Sequence, residues 1–149
     1  MTARLVLTGV LVVVALGVAW VLERRRPAAP PRDAYPVPRQ LDRRDFPRPV
    51  APWLVVLFSS STCEGCAAMA DKVAVLESPA VAVCEIEFSR ARALHDRYEI
   101  SGIPTTLVAD AQGRVRAAFV GQATATDLWA AVAECRSPGS SPEPDLGAV

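Results

Sequence analysis

Residues 53–58, Trp-Leu-Val-Val-Leu-Phe, are apolar at every position over the length of a strand. A strand of that kind needs a packed layer on both faces, because no position is left for water. After it, residues 63 or 64 to 77 read as a helix stopped by Ser78 and Pro79. Residues 81–88 read as a second strand and 91–98 as a short helix. Residues 105–110 form a third strand, joined through the turn sequence Asp-Ala-Gln-Gly to 114–120 as a hairpin. Residues 124–135 close as a helix, where Thr124 and Asp127 offer a variant of the capping box. The order βαβαββα predicts an α/β fold: parallel crossovers, then an antiparallel hairpin, in a mixed sheet flanked by helices.

The N-terminus follows another pattern. Residues 5–22 carry no charge and have no polar face, and as a helix they would cover roughly 27 Å, close to the hydrocarbon thickness of a bilayer. We read residues 1–23 as a single membrane-spanning anchor, with Trp20 suited to the interface. A cleaved signal peptide is the rival, since Gly17, Val18 and Ala19 make a small-x-small triplet. The apolar run, however, continues past it to Leu22, and the only charged side chain before the run is Arg4. Arg24, Arg25, Arg26 and Arg32 follow the span closely, so the positive-inside tendency puts the remainder of the chain in the cytoplasm, with the exported face as the alternative.

Residues 24–49 read as a linker rich in proline and arginine. Eight prolines fall between positions 27 and 52, which disfavours helix and holds the chain extended, while leaving room for a short edge strand and turn within 36–46. Residues 50–136 form the domain, and residues 137–149, rich in Pro, Ser and Gly, are expected to be a disordered tail. The chain of 149 residues has room for one such domain with its accessory segments. Its 16 basic side chains balance its 16 acids, which gives no reason to expect nucleic-acid binding. The charge is nonetheless uneven, because eight arginines against four acids lie between residues 23 and 49.

Candidate chemistry lies between the first strand and the helix after it. Cys63 and Cys66 stand two residues apart in Ser-Thr-Cys-Glu-Gly-Cys. Taken alone, the spacing suits a redox pair, half of a metal site, or core thiols. If the pair is a redox pair, a thiol at a helix start would face unsatisfied N–H groups and the positive end of the helix dipole, which favours Cys63 as nucleophile and leaves Cys66, a turn further in, to resolve a mixed disulfide.

The Cys-x-x-Cys after a buried strand, followed about 35 residues on by Arg-Tyr-Glu-Ile-Ser-Gly-Ile-Pro-Thr-Thr, resembles the thioredoxin family over residues 36–136. The resemblance implies a thioredoxin-like fold and a thiol-disulfide oxidoreductase in which Cys63 attacks and Cys66 resolves. It also implies that Ile103, Pro104 and Thr105 form a cis-proline loop that holds an extended substrate. Disulfide-containing protein substrates and a separate electron donor follow as partners, and no bound cofactor or metal is implied.

The chain departs from the family pattern in three places. Thr62 stands where a tryptophan is usual, Glu64 and Gly65 replace the usual Gly-Pro, and Leu57 replaces a buried acid. Proton transfer from Cys66 then needs another route. Glu85 is a candidate if it faces the site, with a solvated strand end as the alternative. Glu64 adds a negative charge that opposes thiolate formation at Cys63. Cys84 and Cys135 read as core thiols, with a second disulfide or a regulatory thiol as the minor reading. His95, the only histidine, reads as a solvated residue on a surface helix, and there is no second Cys-x-x-Cys to complete a zinc site. A thioredoxin-fold binding module without turnover is the alternative function.

Overall fold

The computed structural model describes residues 35–141, together with Gly17 and Gly147. The chain divides into two compact units, Met1–Pro31 and Arg32–Val149, and the second contains every described residue except Gly17. The expected membrane span and the linker up to residue 34 lie outside the described residues, apart from Gly17. Among the described residues, no helix is long and apolar enough to cross a membrane.

Among its described residues, the second unit forms a four-stranded mixed sheet with three α-helices: β1 (Trp53–Ser59), α1 (Cys66–Ala74), β2 (Val81–Glu87), α2 (Arg92–Arg97), β3 (Thr105–Asp110), β4 (Val115–Val120) and α3 (Ala125–Arg136). Strand order is β2-β1-β3-β4. Alternate residues of β1 enter two separate cores, which is why its sequence shows no polar period. Val55 and Leu57 pack with Met69 and Val73 of α1, and with Leu128 and Val132 of α3. Leu54, Val56 and Phe58 pack on the other face with Tyr98, Leu107, Leu41 and Phe46. The capping box of α3 forms as expected, with the Thr124 hydroxyl accepting from Asp127 N–H and the Asp127 carboxylate from Thr124 N–H.

The second crossover expected from the element order is not parallel. β1 pairs with β2 in parallel, but β3 runs antiparallel to β1, with Phe58 opposite Thr105. The helix between them is too short to return the chain: six residues of α2 rise only about 9 Å, against roughly 23 Å for a seven-residue strand. The chain therefore enters β3 from the end at which β1 leaves.

Three further expectations are corrected. Helix α1 spans Cys66–Ala74 and not 63 or 64 to 77, because turn bonds from Cys63 N–H to Ser60 O and from Cys66 N–H to Cys63 O come first, and tighter bonds at Leu76 and Glu77 end it. The edge strand sought within 36–46 reduces to a single bridge, Gln40 to Arg114, followed by a 3-10 turn at Arg43–Asp45 capped by Asp42. Its neighbours Pro36 and Pro38 have no N–H to extend a ladder. His95 is not solvated but 2% exposed, because it shares the inward stripe of α2 with Ala91, Leu94 and Tyr98. Its ring meets Phe58 and Phe88 edge-on, at 5.0 and 5.2 Å, and Nε2 lies 2.9 Å from Ile86 O.

The N-terminal segment crosses the pole of the sheet away from the cysteines. Leu41 N–H bonds Gly113 O in the β3–β4 turn, and Gly113 has φ +78°, where a side chain would meet the backbone of Leu41. Arg43, only 7% exposed, donates to the carbonyls of Asp110 at 3.2 Å, Arg48 at 3.2 Å and Ala51 at 3.1 Å. A buried carbonyl deprived of its donor is costly. Asp110 O and Arg48 O also accept from the N–H groups of Gly113 and Ala51, so Ala51 O is the carbonyl that Arg43→Met deprives of a donor. The substitution should lower the unfolding free energy by about 2 kcal/mol, read from the urea midpoint at unchanged m-value. A loss under about 0.5 kcal/mol would show that this carbonyl does not depend on the guanidinium.

Candidate active site

Cys63 and Cys66 are joined as a disulfide, with their Cα atoms 5.5 Å apart. They differ in access: Cys63 is half-buried, whereas Cys66 is 3% exposed on the inner face of α1 with Met69 and Val73. Cys63 lies two residues ahead of the Gly65 N-cap, in a turn rather than in the helix itself. Gly65 contributes no side-chain cap, so the first N–H groups of α1 remain directed towards the turn that carries Cys63.

The turn is fixed from β2. Ser61 N–H donates to Glu87 Oε1 at 3.1 Å, while the other carboxylate oxygen accepts from Ser89 Oγ and Arg90 N–H. These bonds, that from the Ser89 hydroxyl foremost, hold the Glu87 carboxyl down at about 2, so it is ionised throughout the physiological range. Ser59, at the end of β1, donates from Oγ to Glu85 Oε1 at 2.6 Å. Glu85 is in register with Leu57, on the sheet face that α1 covers, although its side chain is exposed. Of the two alternatives for Glu85, solvation is what its exposure shows, while its strand position is on the face that α1 covers.

The second loop enters from β3. The Ile103–Pro104 peptide is cis, Ile103 is half-buried, and Pro104 and Thr105 are buried. Thr105 Oγ1 donates to Gly102 O at 2.7 Å, which closes the loop on itself. Because Phe58 pairs with Thr105, this loop sits at the end of β1 from which the cysteine turn departs. Thus the expected site residues Cys63, Cys66, Ile103, Pro104 and Thr105 fall at one end of the sheet.

A third loop, between β4 and α3, joins the other two and was not expected from the sequence. Gly121, at φ +89°, donates its N–H to Pro104 O at 2.7 Å. Gln122 lies against Gly65, where a Cβ would come 2.5 Å from Nε2. Ala123 N–H reaches Met69 Sδ, and Lys72 Nζ donates to Ala123 O at 2.9 Å. Nothing in the local sequence marks Gln122, Ser59 or Glu87 as part of a site: strand pairing brings Ser59 and Glu87 there, and loop packing against Gly65 brings Gln122. The buried hydroxyl of Thr106 also lies on this face, opposite Leu57, with no hydrogen-bond partner.

Cys84 and Cys135 are free thiols packed against different cores. Burial raises both, aided at Cys84 by the charge of Glu85. A raised thiol is a poor nucleophile at neutral pH, which sets these two apart from a helix-end cysteine.

A thioredoxin-like domain family model matches residues 44–135. No curated protein matches the chain. Among solved structures, the germline-specific thioredoxin Deadhead of Drosophila melanogaster is 26% identical with a TM-score of 0.51, over 58% of this chain and 83% of that one. A malarial protein is 15% identical with a TM-score of 0.50, over 56% of this chain and 96% of its own. A mutant thioredoxin from Halobacterium salinarum is 22% identical with a TM-score of 0.47, over 52% of this chain and 69% of the other. With its mixed sheet, paired cysteines and cis-proline loop in one framework, the chain belongs to the thioredoxin-like domain family.

Proposed function

We propose that the protein is a membrane-tethered thiol-disulfide oxidoreductase that reduces disulfides in protein substrates. The observation that carries the reading is the unequal exposure of a bonded Cys63 and Cys66 pair at the start of α1, beside the Pro104 loop. In the reduced protein the accessible Cys63 thiolate attacks one sulfur of a substrate disulfide, forming a mixed disulfide and releasing the other sulfur as a thiolate. Cys66 then attacks Cys63 Sγ, re-forming the internal disulfide and freeing the substrate. Ile103, Pro104 and Thr105 hold the extended substrate segment, with edge backbone groups available for strand-like pairing. A separate electron donor restores the dithiol, and no bound cofactor is needed.

Full-length protein in its reduced form should be alkylated faster at Cys63 than at Cys66 at neutral pH, and should turn over a protein disulfide substrate. Cys63→Ser should abolish that turnover. Wild-type protein that binds partners yet shows no turnover would instead favour the binding module.

The direction of the reaction follows from charge. Glu64 sets a negative charge beside Cys63, and neither His nor Lys lies between the cysteines, so thiolate stabilisation rests on the helix start. Strongly oxidising couples need an unusually stabilised reduced form. Equilibration with glutathione buffers should therefore give a reducing to intermediate potential; a value near about −120 mV would overturn the reductase assignment.

Tethering rests on the uncharged run 5–22, and its orientation on the arginines that follow. We place the domain on the cytoplasmic face of a single-pass membrane protein. Cysteine labelling with an impermeant reagent in intact cells should leave the domain unlabelled until the membrane is opened. Labelling before that would place it on the exported side.

A further inference from the structure

We propose that Glu85, acting through the Ser59 hydroxyl, receives the proton that Cys66 must lose before it can resolve a mixed disulfide, a step that rests on the oxidoreductase reading above. A thiol becomes a competent attacker only as thiolate, and at 3% exposure Cys66 has little direct access to water. An acceptor has to be reached through the protein.

Strand register identifies it. Glu85, Leu57 and Thr106 form one row across β2, β1 and β3. Leu57 belongs to the core shared with Met69 and Val73, so the row lies on the face that α1 covers. Ser59 is two residues further along β1 on that same face, 1% exposed, at the end from which the chain turns towards α1. Helix α1 begins at that end and packs Met69 and Val73 on this same face, so Cys66 and Ser59 belong to the same end of it. The 2.6 Å bond from Ser59 Oγ to Glu85 Oε1 then ties a buried hydroxyl at this end of the face to a carboxylate that is itself in contact with water. On the other side of Leu57, the unpartnered Thr106 hydroxyl is a donor free to bond the thiolate once it forms.

Other charged groups around the first turns of α1 are otherwise placed. Glu64 is exposed in the cysteine turn and Asp71 is exposed on α1. Lys72 donates to Ala123 O, Glu87 is engaged by Ser61, Ser89 and Arg90, and Asp127 is held in the capping box of α3. From β3 and β4 the site-end face presents Thr106 and Phe119, both uncharged. Glu85 is the acid bonded to a buried hydroxyl of that face.

In the step, the Cys66 S–H bond breaks and its proton passes to Ser59 Oγ as Ser59 gives its own proton to Glu85. The Cys66 thiolate attacks Cys63 Sγ, the Cys63–Cys66 bond forms, and the bond from Cys63 to the substrate sulfur breaks. Both cysteines are oxidised by the substrate disulfide, whose two sulfurs leave as thiolates, and Glu85 returns its proton to water.

The test uses the reduced full-length chain in a Cys84→Ser, Cys135→Ser background, mixed rapidly with the aromatic disulfide dithiobis(nitrobenzoate), whose released thiolate is coloured. Attack by Cys63 releases a first coloured thiolate, and resolution by Cys66 releases the second. Glu85→Gln should leave the first release unchanged and slow the second about a hundredfold at neutral pH, with the deficit shrinking as hydroxide takes over at higher pH. Glu85→Asp should recover much of the rate, and Thr106→Val, which removes a donor to the thiolate, should slow the second release about tenfold and move its pH profile to higher pH. If Glu85→Gln does not fold, Ser59→Ala reads the same step. A second release with the wild-type rate and pH profile in the Glu85→Gln or Ser59→Ala protein overturns the relay while leaving the attack by Cys63 intact. Absence of the first release in the parent protein would instead remove the oxidoreductase reading itself.

Discussion

The double burial of β1 is the constraint on which the rest of the structure depends. The strand is hydrogen-bonded on both sides, parallel to β2 and antiparallel to β3, and neither face meets water. Each face must therefore be roofed: one by α1 and α3, the other by α2 and the segment carrying Leu41 and Phe46. At roughly 25 cal/mol per Å² of apolar surface removed from water, such a strand is a large part of the reason the unit is compact. The two ladders also decide what meets at its end. Parallel pairing brings Glu85 and Glu87 alongside Leu57 and Ser59, while antiparallel pairing brings the Pro104 loop up beside them.

The site is accordingly a meeting of three loops on a rigid end rather than a pocket. Each loop is held by a bond that does not involve the cysteines: Ser61 to Glu87 ties the cysteine turn to β2, Gly121 to Pro104 joins the other two loops, and Lys72 of α1 holds the third at Ala123. Such ties leave the Cys63 turn little freedom to drift, which matters because disulfide exchange needs its sulfurs in line. The apolar Leu57 at the centre is flanked by polar groups on both neighbouring strands, so the polarity that β1 lacks is supplied by residues in register with it. At the opposite pole, Arg43 donates to three carbonyls, of which Ala51 O has no backbone donor while Asp110 O and Arg48 O also accept from Gly113 and Ala51 N–H, and so fixes the entering chain against the sheet.

Much of this was legible in the sequence, for reasons that are local. The run 53–58 announced a strand buried on both faces, the turn sequence at 110–113 announced a hairpin, and Thr124 with Asp127 announced a helix cap; each is a short-range device whose residues touch one another. Cys63, Cys66 and Pro104 were found because their spacing and order form a pattern. What failed depended on lengths and ends. A six-residue α2 cannot carry a parallel crossover, and turn bonds at Ser60 and Cys63 delayed the start of α1. His95 looked solvated because histidine is polar, yet its place on the stripe with Leu94 and Tyr98 put it between two phenylalanines.

By itself, then, the sequence determined the element types, the family pattern and the pair of cysteines, all of which are written in neighbouring residues and periodicities. Only the tertiary structure decided that β3 runs antiparallel to β1 and that Gln122 lies on Gly65. It alone set Glu87 to hold the cysteine turn, and Ser59, Glu85 and Thr106 to share a face with Leu57. These pairings join residues about 20 to 60 positions apart, and a strand register that sets them is fixed by the packing of both sheet faces together, which no local stretch of sequence contains.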